Sequence, residues 1–520
     1  MRRQSVLTIT ALSSLLFAAA AMRLNPRLSS AFAAQAQTAQ PAPAAPQLVK
    51  ATVPPTLKPA NISSPTLAAT ETYAARRGEA IPTIARQYLK RTTYLTSTEL
   101  AEAIRQTNGN HSANILKAGE QITIPGILPE PIQEKTIPVP KDFEVRAIYL
   151  TGIMAASDHG IRIIRHWREV GGNAVVFDIK DSDGSVTIPF EHPLLGKHQV
   201  YIHDLPKFVH FLHSENMHAI ARIAIFRDER MVVAHPELAV HSKKTGQPWR
   251  ENGKLVWTDS SNPTVQDYNI ALAKFVAQSG ADEIQFDYVR FPAEGDQKDA
   301  TFAYQTATNE PGSRKPEAEA RTIQRSDVIT AFLKKAYAEL HPTGVLLSLD
   351  VFGVMAWQRQ ADLSHTGQDI VGMAKYCDVL SPMIYHSHFF GMDNIEHPGD
   401  APEHFIGESM ERFELITKGS GVVIRPWLQA FHWRTKTYSP EYIKVQVATA
   451  KEKGGIGFLF WNAANDYSKP YEAMPEMKAA ASKEGSKEKP KYFRGDELST
   501  TTVKASLTPQ PIQTPVSPIY

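Results

Sequence analysis

Between residues 145 and 460 the chain repeats one pattern: a short run dense in Val, Ile and Leu, then a longer stretch whose apolar residues recur at helical spacing. Eight apolar runs stand out, at 145–150, 173–179, 218–226, 283–286, 345–349, 379–384, 422–428 and 457–460. Seven helical stretches separate them, at 159–170, 203–214, 265–279, 326–340, 367–374, 403–417 and 440–453. Strands that are apolar almost throughout are buried on both faces, which is the mark of a parallel sheet covered by helices. Eight such units over roughly 320 residues predict a (β/α)8 TIM barrel of the α/β class, spanning 145–478. A doubly wound open sheet is disfavoured, because no glycine-rich fingerprint follows the first strand.

A second, smaller pattern precedes the barrel. In 71–125 a strand ends in the turn at Gly78, a helix carries Ile84, Ala85, Tyr88 and Leu89 on one face, and a second helix turns Leu100, Ala103 and Ile104 inward. Asn108-Gly109 ends that helix, and Gly119-Glu-Gln-Ile-Thr-Ile-Pro125 closes the unit as a strand, giving a βααβ α+β domain. The order and the closing motif resemble a LysM domain. The resemblance implies binding of glycans that contain N-acetylglucosamine, peptidoglycan among them. The turn Gly78-Glu79-Ala80 departs from that family's usual polar turn, and the segment between the helices, 90–96, is longer than usual.

Around these units lie stretches with no core pattern. Residues 35–70, rich in Ala and Pro, and 126–144, with Pro129, Pro131, Pro138 and Pro140, read as linkers. Residues 479–520, first Lys/Glu-rich and then Thr/Pro-rich, read as a disordered tail. Residues 1–34 pair Arg2 and Arg3 with an apolar run and the small-residue site Ala31-Phe-Ala33, which reads as a signal peptide or a retained anchor. The chain is therefore expected in the periplasm, in the cell wall or secreted, with a membrane as partner only if that segment is kept.

Charge and cysteine count narrow the classes further. A net charge of +2 gives no electrostatic case for nucleic acid. One cysteine, Cys377, permits no intrachain disulfide and no zinc site built from CxxC pairs. No motif asks for a cofactor, and oligomeric state is left open.

In a barrel the chemistry belongs at the carboxyl ends of the strands. Seven of the eight expected tips carry polar or aromatic groups: Asp178 and Lys180, Arg227, Asp287 with Tyr288 and Arg290, Asp350, Tyr385 and His386, Trp427 and Gln429, and Trp461 with Asn462. Asp287 and Asp350 end adjacent strands, so their carboxyls can flank one scissile bond, as acetal hydrolysis requires. Asp287, beside Arg290, is expected to stay ionised as nucleophile or stabiliser, and Asp350, among Leu349, Val351 and Phe352, to be the acid. Trp249, Trp257, Tyr288, Trp357, Tyr385, Trp427, Trp433 and Trp461 supply flat rings for sugar faces, and Asp178, Lys180, Arg227, Gln429 and Asn462 supply hydrogen bonds to hydroxyls.

Four motifs, Val175-Val-Phe-Asp-Ile-Lys-Asp181, Phe286-Asp-Tyr-Val-Arg-Phe-Pro292, Leu349-Asp-Val-Phe-Gly353 and Ser381-Pro-Met-Ile-Tyr385, make residues 145–462 resemble a bacterial glycoside hydrolase family. Its barrel is distantly related to α-amylases and α-galactosidases. The resemblance implies a nucleophilic Asp at the end of strand four, which falls on Asp287. The acid it implies is often a Glu after strand five, or a carboxylate near strand six; this chain offers Asp350 in the former place, with Glu294 and Asp228 as further candidates. The expected function is thus two-carboxylate hydrolysis of a polysaccharide or peptidoglycan. Alternatives are an envelope glycan-binding protein without catalysis, and a metal-dependent hydrolase or deacetylase using His386, His388 and His432 with Asp287.

Overall fold

The computed structural model describes residues 69–109, 115–307 and 323–481. The expected leader, the first linker as far as residue 68 and nearly all of the tail lie outside these residues. Among the described residues, no helix is long and apolar enough to cross a membrane.

The small unit has the expected βααβ order. Strands Ala69–Ala74 and Gln121–Ile127 pair antiparallel, and helices Ile81–Tyr88 and Ser97–Thr107 pack on them through Ile84, Leu100, Ile104, Ile122 and Ile124. Thr96 caps the second helix by accepting the Glu99 N–H, and Asn108 ends it while bridging to both backbone groups of Thr123. The long segment between the helices has a physical use. Leu95 packs on the barrel core, Thr96 bonds Asp158, Glu99 pairs with Arg165 at 3.0 Å, and Lys207 donates to the Leu89 carbonyl at 2.8 Å. Extra residues that would be surplus in an isolated domain form its foot on the barrel helices.

The barrel closes. Its strands are Val145–Leu150, Ala174–Lys180, His218–Ala224, Glu283–Asp287, Leu346–Phe352, Val379–Met383, a seventh made of Val423–Ile424 and Trp427–Gln429, and Gly457–Trp461. Each pairs in parallel with the next, and the eighth returns to the first through Gly457 to Phe460 against Val145 to Ile148. The seventh strand is split at Pro426, which has no N–H for the ladder. The seven expected helices are present, the fifth only as Ile370–Met373. An eighth, Ser468–Ala481, completes the ring; its helical pattern was hidden by Pro475 and by a composition that merges into the tail.

Residues 134–137 of the second linker strap the amino-terminal end of the barrel. Ile137 N–H donates to Asp282 and Thr136 Oγ1 to the Ala281 carbonyl, at 2.7 and 2.8 Å. Glu134 lies 2.6 Å from His210 and 3.1 Å from His213, and the other ring nitrogen of His213 lies 3.0 Å from Asp282. Inside the same end, Arg425 grips Glu283 at 2.8 Å with His218 beside it at 3.2 Å. Burial alone would raise Glu283, but Arg425 and His218 prevail and hold it down at about 2.

Candidate active site

Alternation along each strand sends every second side chain into the barrel, and at the carboxyl end the inward positions are polar. Tyr149, Asp178, Arg222, Asp287, Asp350 and Trp427 come from strands one, two, three, four, five and seven. Arg222 is the hub. Register places it beside Asp178 on one side and Gln285 on the other, two residues short of Asp287. Its Nη1 donates to Asp178 at 2.5 Å, while Nη2 and Nε both reach Asp287 Oδ2, at 2.6 and 3.2 Å. Asp178 also accepts from Tyr149 Oη at 2.5 Å. Asp350 Oδ1 accepts from the Trp427 indole N–H at 2.6 Å, and its Oδ2 lies 4.0 Å from Arg222 Nε. Two carboxylate oxygens measured from one nitrogen are at most roughly 7 Å apart, within the span that flanks a glycosidic bond.

The carboxyls differ in environment. Asp287 keeps 7% of its surface exposed, against 1% for Asp178 and for Asp350. Burial, and then the adjacent Asp287 charge, push Asp350 well above the carboxylate range. Burial likewise lifts Asp178 to about 7 against the pull of Arg222. The site therefore holds one carboxylate clamped by a guanidinium beside a carboxyl that favours its proton.

Tyr288 follows Asp287 with φ of +53°, a left-handed conformation unusual for an aromatic residue, and its N–H turns back onto Asp287 Oδ1 at 2.6 Å. That turn lifts the Tyr288 ring to the rim. Arg227 and Arg290 lie over it, at 5.7 and 5.4 Å from the centroid. Arg290 also stacks over Trp257 and Phe352, at 4.8 and 4.5 Å, so it sits in a cage of three rings. The expected Asp287–Arg290 pair is thus replaced by Asp287–Arg222.

On the opposite rim Tyr385, Trp461 and Phe431 meet with centroids 5.3 to 5.9 Å apart, all half-buried. Burial, and next Asp350 and Asp287, raise the Tyr385 hydroxyl well above its ordinary value, so its ring belongs to the same electrostatic neighbourhood. Trp357, also half-buried, lies farther out between Phe389 and Arg412.

Several residues expected to touch a ligand are instead built into the frame. Lys180 is wholly buried, paired with Asp228 at 2.7 Å and bonded to Asn269. A register shift between Asp178 and Lys180 turns it away from the interior that Asp178 faces. It engages Asp228, which also caps the helix Glu229–Ala234. His386 has no exposed surface, bonds Tyr442 at 2.5 Å and is held near pKa 3 by burial. Gln429 accepts from Ser387 and donates to the Phe431 carbonyl, and Asn462 donates to the carbonyls of Ala430 and Asp466. Trp427, 2% exposed, holds Asp350 and leaves no face for a sugar. Trp249 is buried in the loop after strand three, and Glu294 lies on the exposed rim bonded to Asn252. The three histidines diverge: His386 faces Tyr442, His388 stacks on Trp433, and His432 bonds the Thr435 carbonyl. Among the described residues, no three His, Cys, Asp or Glu side chains are grouped to hold a metal ion.

A closed parallel barrel with paired carboxyls and half-buried rings at the carboxyl ends of its strands has the layout of a glycosyl hydrolase domain. Residues 147–467 match the family described as "Putative glycosyl hydrolase domain", and the chain belongs to that family. Among solved structures, a hypothetical protein from Ruminiclostridium thermocellum is 33% identical, with a TM-score of 0.33 and a match covering 39% of this chain and 97% of that one. The PgaB (BpsB) glycoside hydrolase domain from Bordetella bronchiseptica is 13% identical, with a TM-score of 0.47, covering 64% of this chain and 98% of that one. A chitinase from Chromobacterium violaceum is 12% identical, with a TM-score of 0.39, covering 64% and 99%. A comparison with curated proteins finds no match.

Proposed function

We propose that the protein is an exported glycoside hydrolase that cleaves a cell-envelope or extracellular polysaccharide with Asp287 and Asp350, its small domain serving to hold glycan. The observation that carries this reading is the unlike pair: Asp287 ion-paired to Arg222 at 2.6 Å, and Asp350 pushed toward its protonated form nearby. Asp287 attacks or stabilises the anomeric carbon as positive charge develops there, and Asp350 gives its proton to the departing oxygen. Arg222 fixes Oδ2 of Asp287, the Tyr288 N–H holds its Oδ1, and the Trp427 N–H orients the Asp350 carboxyl. Tyr288, Tyr385 and Trp461 offer ring surface to the sugar. The βααβ order, the closing motif and the basic-apolar start of the chain support the envelope setting.

A glycan-binding protein without catalysis draws on a different observation, the 1% exposure of Asp350. One comparison separates the two. Full-length protein and its Asp287→Asn variant are incubated with purified peptidoglycan and with extracellular polysaccharide, and new reducing ends are measured. Release by the wild type alone supports the hydrolase; equal behaviour of the two removes Asp287 from the mechanism. Export is read separately, from fractionation of cells expressing the intact chain.

A further inference from the structure

The rings at the rim do not stop at the catalytic cluster. From Trp461 and Tyr385 a continuous line runs outward over the loops after strands six and seven. Tyr385 meets His388 at 5.8 Å, His388 lies 4.5 Å from Trp433 at an interplanar angle of 36°, and Phe390 meets Trp433 at 6.0 Å. Each of these side chains is at least partly exposed. Among the described residues the exposed large aliphatic residues, by contrast, are scattered singly: Ile115, Ile153, Val233, Ile323, Val371 and Leu415 fall in separate segments of the chain. Arg434, itself at φ of +48°, lies over Phe390 and Trp433 at 4.2 and 4.6 Å and marks the outer end of the line. There the surface opens into a cavity of about 410 Å³, lined by Phe390, Arg434, His397, Asp400 and Lys436 among others. Its size is that of a small-ligand site, and its lining mixes both signs of charge with an aromatic wall.

We propose that this ring line and its terminal cavity form a distal binding track for the saccharide chain whose scissile bond lies at Asp287 and Asp350. Rings that meet tilted or edge-to-face along this line leave partly open faces and edges for the apolar sides of successive pyranoses without reading a particular sugar, while donors and acceptors at the cavity take the hydroxyls of a unit several residues from the cut. The line is too long for one ring of substrate, so the ligand it fits is a chain of several sugar units. The track rests on the hydrolase reading only for its direction; binding along it requires no turnover.

The test measures binding by calorimetry on the full chain carrying Asp287→Asn, using ladders of N-acetylglucosamine, glucose and galacturonic acid oligomers from dimer to hexamer. Affinity for at least one ladder is expected to rise with length, by about tenfold or more from dimer to hexamer. Trp433→Ala and Phe390→Ala are each expected to cut that length-dependent gain several-fold, and Trp433→Phe, which keeps a flat ring, to retain most of it. Thermal melting of each variant separates loss of the track from loss of fold. No gain with length in any ladder, or the same gain in both alanine variants, overturns the track. A gain that persists in a chain whose wild type releases no reducing ends would instead sink the hydrolase reading and leave the track standing.

Discussion

Arg222 directs two nitrogens, Nε and Nη2, at a single oxygen of Asp287, and its third, Nη1, at Asp178. One cation on strand three therefore sets the position of carboxyls on strands two and four. Replacing it with Met leaves two nearly buried carboxyls without their counter-ion. Breaking such a pair from one side costs about 3–5 kcal/mol. Arg222→Met is expected to lower stability by that order and abolish activity; Arg222→Lys, which cannot form the fork, should fold better and remain nearly inactive. Denaturant unfolding alongside a reducing-end assay checks both.

Asp350 is expected to reveal an acid role through the leaving group. Asp350→Asn should lose about 100-fold or more on polysaccharide, the usual scale for removing a general acid. Activity should recover largely on aryl glycosides whose leaving phenol departs without protonation. In the wild type, activity should fall as pH rises through the elevated pKa of Asp350, a limb that is absent in the variant. Equal loss on both substrate types would move the acid to another residue.

Lys180 is expected to matter for stability alone. It is completely buried against Asp228, so Lys180→Met strands a buried carboxylate and should cost about 3 kcal/mol or more. Affinity for oligosaccharides, measured on the folded variant, should stay within about twofold of the parent, a difference of under about 0.5 kcal/mol.

The strap at the other end of the barrel should respond to pH. Burial opposes the charge on His213, but its bonds to Asp282 and Glu134 raise it to about 9. Its contribution is full below the ordinary histidine value and is lost as pH rises through about 9. Burial opposes Glu134 as well, yet His210 and His213 lower it to about 2, so its contribution is present above the ordinary carboxylate value and is lost as pH falls through about 2. Stability from this junction should peak between about pH 4.5 and 6.5, with on the order of 2 kcal/mol lost on either side. Melting curves across pH for wild type and His213→Gln check it; the variant should show a flatter profile at the alkaline end.

The frame of the barrel was legible because strands buried on both faces spell themselves as apolar runs, and every expected strand falls within three residues of its observed bounds or is split at a proline. The end of the barrel that carries polar groups was legible too. What the runs conceal is which face each residue takes. Arg222 lies in the middle of His218-Ala-Ile-Ala-Arg-Ile-Ala224, where a lone charge flanked by apolar neighbours gives no hint that it points inward. Lys180 stands two residues from Asp178 and should share its face, until a register shift turns it away. Arg290 was close in sequence to Asp287, but three rings hold it elsewhere. Gln429 and Asn462 sit at true strand ends whose loops fold back and take their amides for the backbone.

The linker strap also bears on the order in which the chain assembles. Ile137 and Asp282 are 145 positions apart in sequence, and their bond joins the approach to strand one with the base of strand four. Contacts so distant close slowly, since the intervening loop must lose its freedom first. The strap can latch only after half the barrel has come together. On a chain folding from its amino terminus the two halves of the strap become available at different stages: Glu134 can meet His213 once the helix before strand three is in place, whereas Ile137 must wait for Asp282 at the base of strand four.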